Sequence, residues 1–233
     1  MDGVLTETAG VHKDAWKRLF DSYLRERSER TGEPFRPFET EDYARYVDGK
    51  PRYDGARSFL ESRGIHLPFG SPDDPPEKET VTGLGNRKNS LFHESLSEKG
   101  VKAYESSVRF IKDAKAKGAR TAVITSSRNG REVLEAAGIR HLFESEVTGI
   151  ESDQMKLKGK PEPDIFLEAA RRLGVEPEKA AVIEDALSGV EAGRRGGFGV
   201  VIGVDRIGQA GELLDRGADV VVKDLSQLRY EPT

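Results

Sequence analysis

Ala122-Val123-Ile124-Thr125-Ser126-Ser127-Arg128-Asn129 is a short apolar run that ends in a hydroxyl-rich tip, and Ala181-Val182-Ile183-Glu184-Asp185 repeats the design with carboxylates at the tip. Widened to their neighbours, such runs give strand candidates over Arg120–Thr125, Ala180–Glu184, Gly199–Val204 and Asp219–Val222. Helical patterns lie before or after them, at Ser107–Ala116, Gly130–Ala137, Pro163–Leu173, Ser188–Arg195 and Gly208–Arg216. Strands that alternate with amphipathic helices imply a parallel sheet with crossover connections, an α/β fold. In such sheets ligands gather at the carboxyl ends of the strands, so the polar tips are the places to look for chemistry.

The segment before this alternation has another texture. From about Val11 to Lys99 it is charged and helix-like, and Val11, Ala15, Trp16, Leu19, Phe20 and Tyr23 recur at helical spacing. His66 to Pro76 is rich in Pro, Gly and Asp and reads as a loop, and a further helix is expected over Gly85–Leu96. No strand is expected in this stretch.

Composition removes several function classes. The 233 residues carry 37 Lys+Arg against 41 Asp+Glu, a formal net charge of -4, which argues against a general nucleic-acid binder. No apolar run approaches the roughly 20 residues that span a bilayer, and the N-terminus lacks a basic segment followed by an apolar one. Cysteine is absent, so disulfides, thiol catalysis and Cys-based zinc sites are excluded. The expectation is a monomeric cytoplasmic protein that engages neither membrane nor nucleic acid.

The polar tips, with Lys160 in Lys156-Leu157-Lys158-Gly159-Lys160-Pro161 and the opening Asp2-Gly3-Val4, supply an acid, hydroxyls, a cation and a carboxylate pair. Each has a job in phosphoryl transfer, where positioning and electrostatics dominate catalysis. Glu184 and Asp185, with Asp2, offer the hard oxygen ligands that Mg²⁺ prefers. Lys160 can hold nucleophile and phosphate together, and Thr125 can donate to a phosphoryl oxygen. Asp2 can protonate the leaving oxygen and deprotonate the attacking one. Taken singly, each has a plainer explanation. Glu184-Asp185 could cap the helix near Leu187, Thr125 could be a strand-end hydroxyl, and Lys160 could be a solvated surface lysine. The combination favours chemistry.

These four motifs, in this order, resemble the haloacid dehalogenase superfamily, and within it the beta-phosphoglucomutase family. The resemblance rests on Thr6-Glu7-Thr8-Ala9, His12, Ala15-Trp16, Ser127-Arg128-Asn129 and Lys160-Pro161-Glu162-Pro163-Asp164-Ile165-Phe166. It implies a Rossmann-like core over 1–9 and 97–233, with an α-helical cap inserted over 10–96. It also implies a Mg²⁺-dependent enzyme acting on a phosphosugar through an aspartyl-phosphate. Thr8, His12, Trp16, Arg52, Lys88, Ser126, Ser127, Arg128 and Asn129 are the implied substrate residues, Arg52 and Lys88 reaching the distal end of the substrate on cap closure. Trp16 has a competing role in the core of the cap, and a solvated face is the ordinary explanation of Arg52 and Lys88.

Two departures accompany the resemblance. Glu7 stands where the family usually has Asp. In the family pattern Asp-x-Asp-Gly-Val the attacking Asp lies two residues before Asp2, and that position falls ahead of Met1. A misassigned start is the expectation, with the chain as written catalytically impaired. Three functions remain open: a sugar-phosphate mutase, a phosphatase of the same build, and a non-catalytic sugar-phosphate binder. Gly83-Leu84-Gly85 and the glycines of 193–203 do not make a nucleotide loop, because neither sits between a strand and a following helix.

Overall fold

The computed structural model describes residues 1–232, with Lys99 described through its backbone alone. The chain forms two compact units: Met1–Thr8, Gly49–Pro51 and the chain from Val101 onward make one, and Ala9–Asp48 with Arg52–Gly100 make the other.

The helical unit contains α1 (Thr8–Thr31), α2 (Thr40–Asp42), which continues into a wide turn over Tyr43–Val47, α3 (Arg52–Ser62) and α4 (Val81–Lys99). Its core is aromatic: Trp16, Phe20, Phe38 and Phe59 are buried, and the rings of Phe20 and Phe59 lie 4.2 Å apart. α4 starts four residues earlier than the sequence pattern suggests. Thr80 caps it by accepting from the Gly83 amide at 3.0 Å, a local signal stronger than the apolar period.

The loop ahead of α4 is organised by one buried carboxylate. Asp74 accepts from the Ser71 amide, from the hydroxyls of Thr80 and Thr82, and from the Lys78 ammonium. The Lys78 and Thr80 bonds hold its pKa well below the usual carboxylate value, against the opposing effect of burial. A depressed folded pKa adds stability that is present above the unfolded value of about 3.9 and is lost as pH falls through the folded one. Asp74→Asn is therefore expected to lower the urea midpoint at pH 7. The gap from the parent should narrow steadily as pH falls below about 4. A gap that stays constant down to pH 2 would remove the carboxylate charge from the account.

The other unit supplies α5 (Glu105–Ala116), β1 (Ala122–Ile124), α6 (Gly130–Ala136), β2 (Ser145–Val147), α7 (Gly149–Gln154) and α8 (Asp164–Leu173). These are followed by β3 (Ala181–Glu184), α9 (Leu187–Arg195), β4 (Val200–Val204), α10 (Ala210–Asp215) and β5 (Val220–Val222). All the strand pairs are parallel, arranged as β1–β2 and β3–β4–β5. An apolar cluster that includes Val147, Ile165, Phe166, Val182, Val190 and Val201 draws on strands of both pieces. Gly193 lets α9 lie close to the sheet, since a Cβ there would stand 3.2 Å from the side chains of Val182 and Val201. β2 and α7 are additions to the sequence-based expectation. Among the described residues no helix is long and apolar enough to cross a membrane.

Candidate active site

The alternation of strand and helix brings the polar tips of β1 and β3 together with the opening loop. That loop is pinned along its length. The Met1 carbonyl accepts from the Leu5 amide at 2.7 Å, the Ser107 hydroxyl donates to the Val4 carbonyl at 2.6 Å, and the Tyr104 amide donates to the Leu5 carbonyl at 2.9 Å. Asp2 projects from this scaffold between two hydroxyls. Its Oδ1 accepts from Thr8 Oγ1 at 2.5 Å and its Oδ2 from Thr125 Oγ1 at 3.0 Å. Thr6 Oγ1 lies 2.7 Å from Thr8 Oγ1 and continues the chain of hydroxyls. A hydroxyl can donate to a carboxylate or accept from a carboxylic acid, so both partners can hold Asp2 in either protonation state.

The β1 tip turns tightly after Thr125. The Ser127 amide donates to Thr125 Oγ1 at 3.1 Å and the Asn129 amide to Ser127 Oγ at 3.2 Å, which fixes the entry into α6. Ser126 Oγ donates to the Gly49 carbonyl at 2.8 Å. Arg128 turns outward to pair with Asp153, each about half exposed.

Lys160 and Glu184 form a buried ion pair, both side chains almost fully shielded from solvent. The ammonium also lies 5.0 Å from the centre of the Phe166 ring. The other Glu184 oxygen accepts from the amides of Asp185 and Ala186, at 3.0 and 3.1 Å, where the chain turns into α9. Burial alone would push the Glu184 pKa up. The Lys160 charge, the Met1 amino group and the backbone donors outweigh it and leave the carboxyl below its ordinary value. The carboxylate thus fixes the turn that leads into α9, without capping the first turn of the helix itself.

Asp185 lies against Gly3. A Cβ on Gly3 would stand 1.7 Å from Asp185 Oδ2, and the φ of +70° there is one that side-chain-bearing residues rarely adopt. Glycine at position 3 therefore makes room for the second carboxylate beside the Asp2 loop. The resulting donors are all oxygen. Mg²⁺ suits one or two carboxylates completed by water and substrate phosphate, so Asp185 beside the Asp2-Gly3 backbone fits that ion. Among the described residues no three His, Cys, Asp or Glu side chains form a ready-made metal cluster.

Three of the sequence-selected residues of the helical unit come together, and one stands with another partner. Lys88 Nζ is 2.6 Å from His12 Nδ1, is buried, and lies 5.3 and 4.8 Å from the ring centres of Trp16 and Phe92. His12 stacks on Phe92 with 4.2 Å between ring centres. Trp16 is itself a core residue, 4 % exposed and stacked on Phe20. Arg52 donates to Asn89 Oδ1 at 2.8 Å.

Two contacts escaped the sequence reading: Arg206 Nε donates to the Gly3 carbonyl at 2.7 Å, and Gln209 Nε2 to the Asp185 carbonyl at 3.0 Å. Both residues follow the apolar run of β4, so the rule that singled out the other strand tips also covers them.

Known proteins resemble this chain along nearly its whole length. The chain is 53% identical over 232 residues to a beta-phosphoglucomutase of Mycobacterium tuberculosis, covering 98% of this chain and 88% of the relative. It is 32% identical over 229 residues to a phosphorylated carbohydrates phosphatase of Thermotoga maritima, covering 96% and 91%. The solved structure of a beta-phosphoglucomutase from Clostridium difficile shares the fold, with a TM-score of 0.73 at 24% identity over 98% of this chain and 90% of that one. The description of the family model that matches residues 1–197 is haloacid dehalogenase-like hydrolase, and this chain belongs to that family.

Proposed function

We propose that the protein catalyses phosphoryl transfer on a sugar phosphate, as a beta-phosphoglucomutase. The observation that carries this reading is Asp2 held by Thr8 and Thr125 at the mouth of β1, beside the buried Lys160–Glu184 pair. The 53% identity to a mycobacterial protein named beta-phosphoglucomutase supports the choice of reaction.

In the proposed reaction a carboxylate nucleophile attacks phosphorus, and the bond to the sugar oxygen breaks as Asp2 delivers its proton to that oxygen. In the return step Asp2 takes the proton from a second sugar hydroxyl, whose oxygen attacks the aspartyl-phosphate and releases the carboxylate. The Met1 nitrogen donates to the Ile124 carbonyl at 3.3 Å, at the carboxyl end of β1. Bound Mg²⁺, held by Asp185 and the Asp2 segment, would offset the charge repulsion between carboxylate and phosphate. Thr125 steadies Asp2, and Lys160 fixes Glu184 so that the turn into α9 presents Asp185. Ser126, Ser127, Arg128 and Asn129 at the β1 tip are proposed to bind the sugar phosphate; in the helical unit His12, Arg52 and Lys88 are proposed substrate residues, while Trp16 packs in the core of that unit. Arg52 and Lys88 are proposed to take its charged end.

A second reading, hydrolysis of small sugar phosphates, is favoured by the 32% identity to the Thermotoga carbohydrate phosphatase. One assay separates the two. The chain as written, and the chain with an apolar segment ending in Asp ahead of Met1, are given beta-glucose 1-phosphate, a trace of the 1,6-bisphosphate and Mg²⁺. Glucose 6-phosphate without free phosphate from the extended chain is the expected result. Free phosphate as the main product selects the phosphatase, and an extended chain inert towards phosphosugars overturns the assignment.

A further inference from the structure

The turn Asp205-Arg206-Ile207-Gly208-Gln209 lies beyond residues 1–197 matched by the family model, and neither the sequence motifs nor the reaction above gives it a task. It is a stiff element. Asp205 Oδ1 accepts from the amides of Ile207, Gly208 and Gln209 at 3.2, 2.7 and 2.9 Å, and the Asp205 amide donates to the Val222 carbonyl at 2.8 Å. Four backbone donors are thereby used within five residues, and the turn is tied to the end of β5.

From this base two side chains reach the two halves of the candidate site. Arg206 Nε donates to the Gly3 carbonyl and its Nη1 to the Lys223 carbonyl at 3.0 Å. The guanidinium lies 4.0 Å over the Tyr104 ring and 3.9 Å from Asp224 Oδ2. Asp224 is in turn fixed by the Ser106 hydroxyl at 2.7 Å, so the arginine is held on several sides. Gln209 Nε2 donates to the Asp185 carbonyl.

The two carbonyls so held belong to residues that touch, because the Asp185 carboxylate occupies the space where a Gly3 side chain would be. We propose that Arg206 and Gln209 form a clamp that sets the Asp2-Gly3 loop in register with the Asp185 loop, and that both are positioning residues for phosphoryl transfer. This rests on the reading of Asp2 as acid/base and Asp185 as metal ligand.

The physical need for such a clamp comes from Gly3. Without a Cβ its backbone is soft; its amide is held by the Thr6 carbonyl at 2.9 Å, and the direction of its own carbonyl is set by Arg206. A charged donor on that carbonyl is a strong way to do so. The rest of the loop does not depend on the clamp, because Ser107 and Tyr104 hold Val4 and Leu5 separately. Loss of the clamp should therefore free residues 2 and 3 while the core stays packed. Misplacement of a catalytic group by about 1 Å is enough to cost on the order of 100-fold in rate.

The test uses Arg206→Met, Arg206→Lys and Gln209→Met. In the chain as it stands, Arg206→Met is expected to speed hydrogen exchange at the Asp2 and Gly3 amides on the order of 10-fold, with the thermal midpoint little changed. In the extended, active form the same substitution should lower kcat by about 10–100-fold, leave KM for the sugar phosphate within about twofold, and shift the pH profile of kcat. Arg206→Lys, which keeps one donor, should recover part of the loss, and Gln209→Met should reproduce it in weaker form. Unaltered exchange at the loop, or a fall in kcat with no recovery by lysine, would overturn the clamp. An inert parent would count against the functional reading alone and leave the exchange result to decide the clamp.

Discussion

Asp2→Asn is expected to remove turnover almost entirely while leaving the protein folded. Proton transfer by a positioned side chain contributes typically about 10²–10⁴ in rate, and in the proposed reaction the same carboxyl serves both half-reactions. Asparagine keeps the shape of the side chain. Its amide oxygen can accept from one of the Thr8 and Thr125 hydroxyls, and its NH₂ can donate to the oxygen of the other. The hydrogen bonds thus change polarity without being lost, and the cost in stability should stay near 1 kcal/mol. Affinity for the sugar phosphate should hardly move, since no binding contact is removed. Steady-state kinetics of the extended chain and calorimetry with the sugar phosphate read the two halves of this claim. A variant that keeps more than about a tenth of the parent kcat would take the acid/base role away from Asp2.

How much of this was readable in advance depended on the range of the interactions. β1, β3, β4 and β5 announced themselves because each is an apolar run bounded by polar residues. β2 did not, since Ser145-Glu146-Val147 has two polar residues in three. It is a strand because it pairs with β1 in parallel register and because the Arg172 guanidinium holds the Glu146 carbonyl. α7 is too short to show a period, although Thr148 and Glu151 form a capping box that the residue spacing does carry. The candidate site residues at the strand tips were legible for the same local reason as the strands. Their partners were not. Nothing local says that Thr125 bonds Asp2 across 123 positions, or that Lys160 buries itself against Glu184 instead of lying on the surface. Arg128, which sits in a site-like motif, pairs with Asp153 at the surface, a partner that nothing local announces.

Lys160→Met should be the most destabilising of the substitutions argued here, and its effect should depend on pH in the reverse sense from the parent. Removal of one partner from a buried ion pair leaves the other charge uncompensated, at a cost of about 3–5 kcal/mol. Methionine fills a similar volume against Phe166, so little of that cost is a cavity. In the parent the lowered pKa of Glu184 adds stability above the usual carboxylate range, and this is lost as pH falls. Without Lys160 burial dominates, and the Glu184 pKa should rise above its unfolded value. A raised folded pKa contributes stability that is present below the unfolded value and disappears as pH climbs through the folded one. The deficit of Lys160→Met should therefore be greatest at pH 7 to 8 and shrink towards pH 4, as Glu184 takes up a proton. Adding Glu184→Gln should recover part of the stability at pH 7, because the amide oxygen still accepts from Asp185 and Ala186 while the stranded charge is gone. It should not recover activity. Urea midpoints of the parent, the single variant and the double variant between pH 4 and 8 decide the matter. If the single variant stays parallel to the parent across that range, the Lys160–Glu184 charge pair is not what holds the turn that presents Asp185.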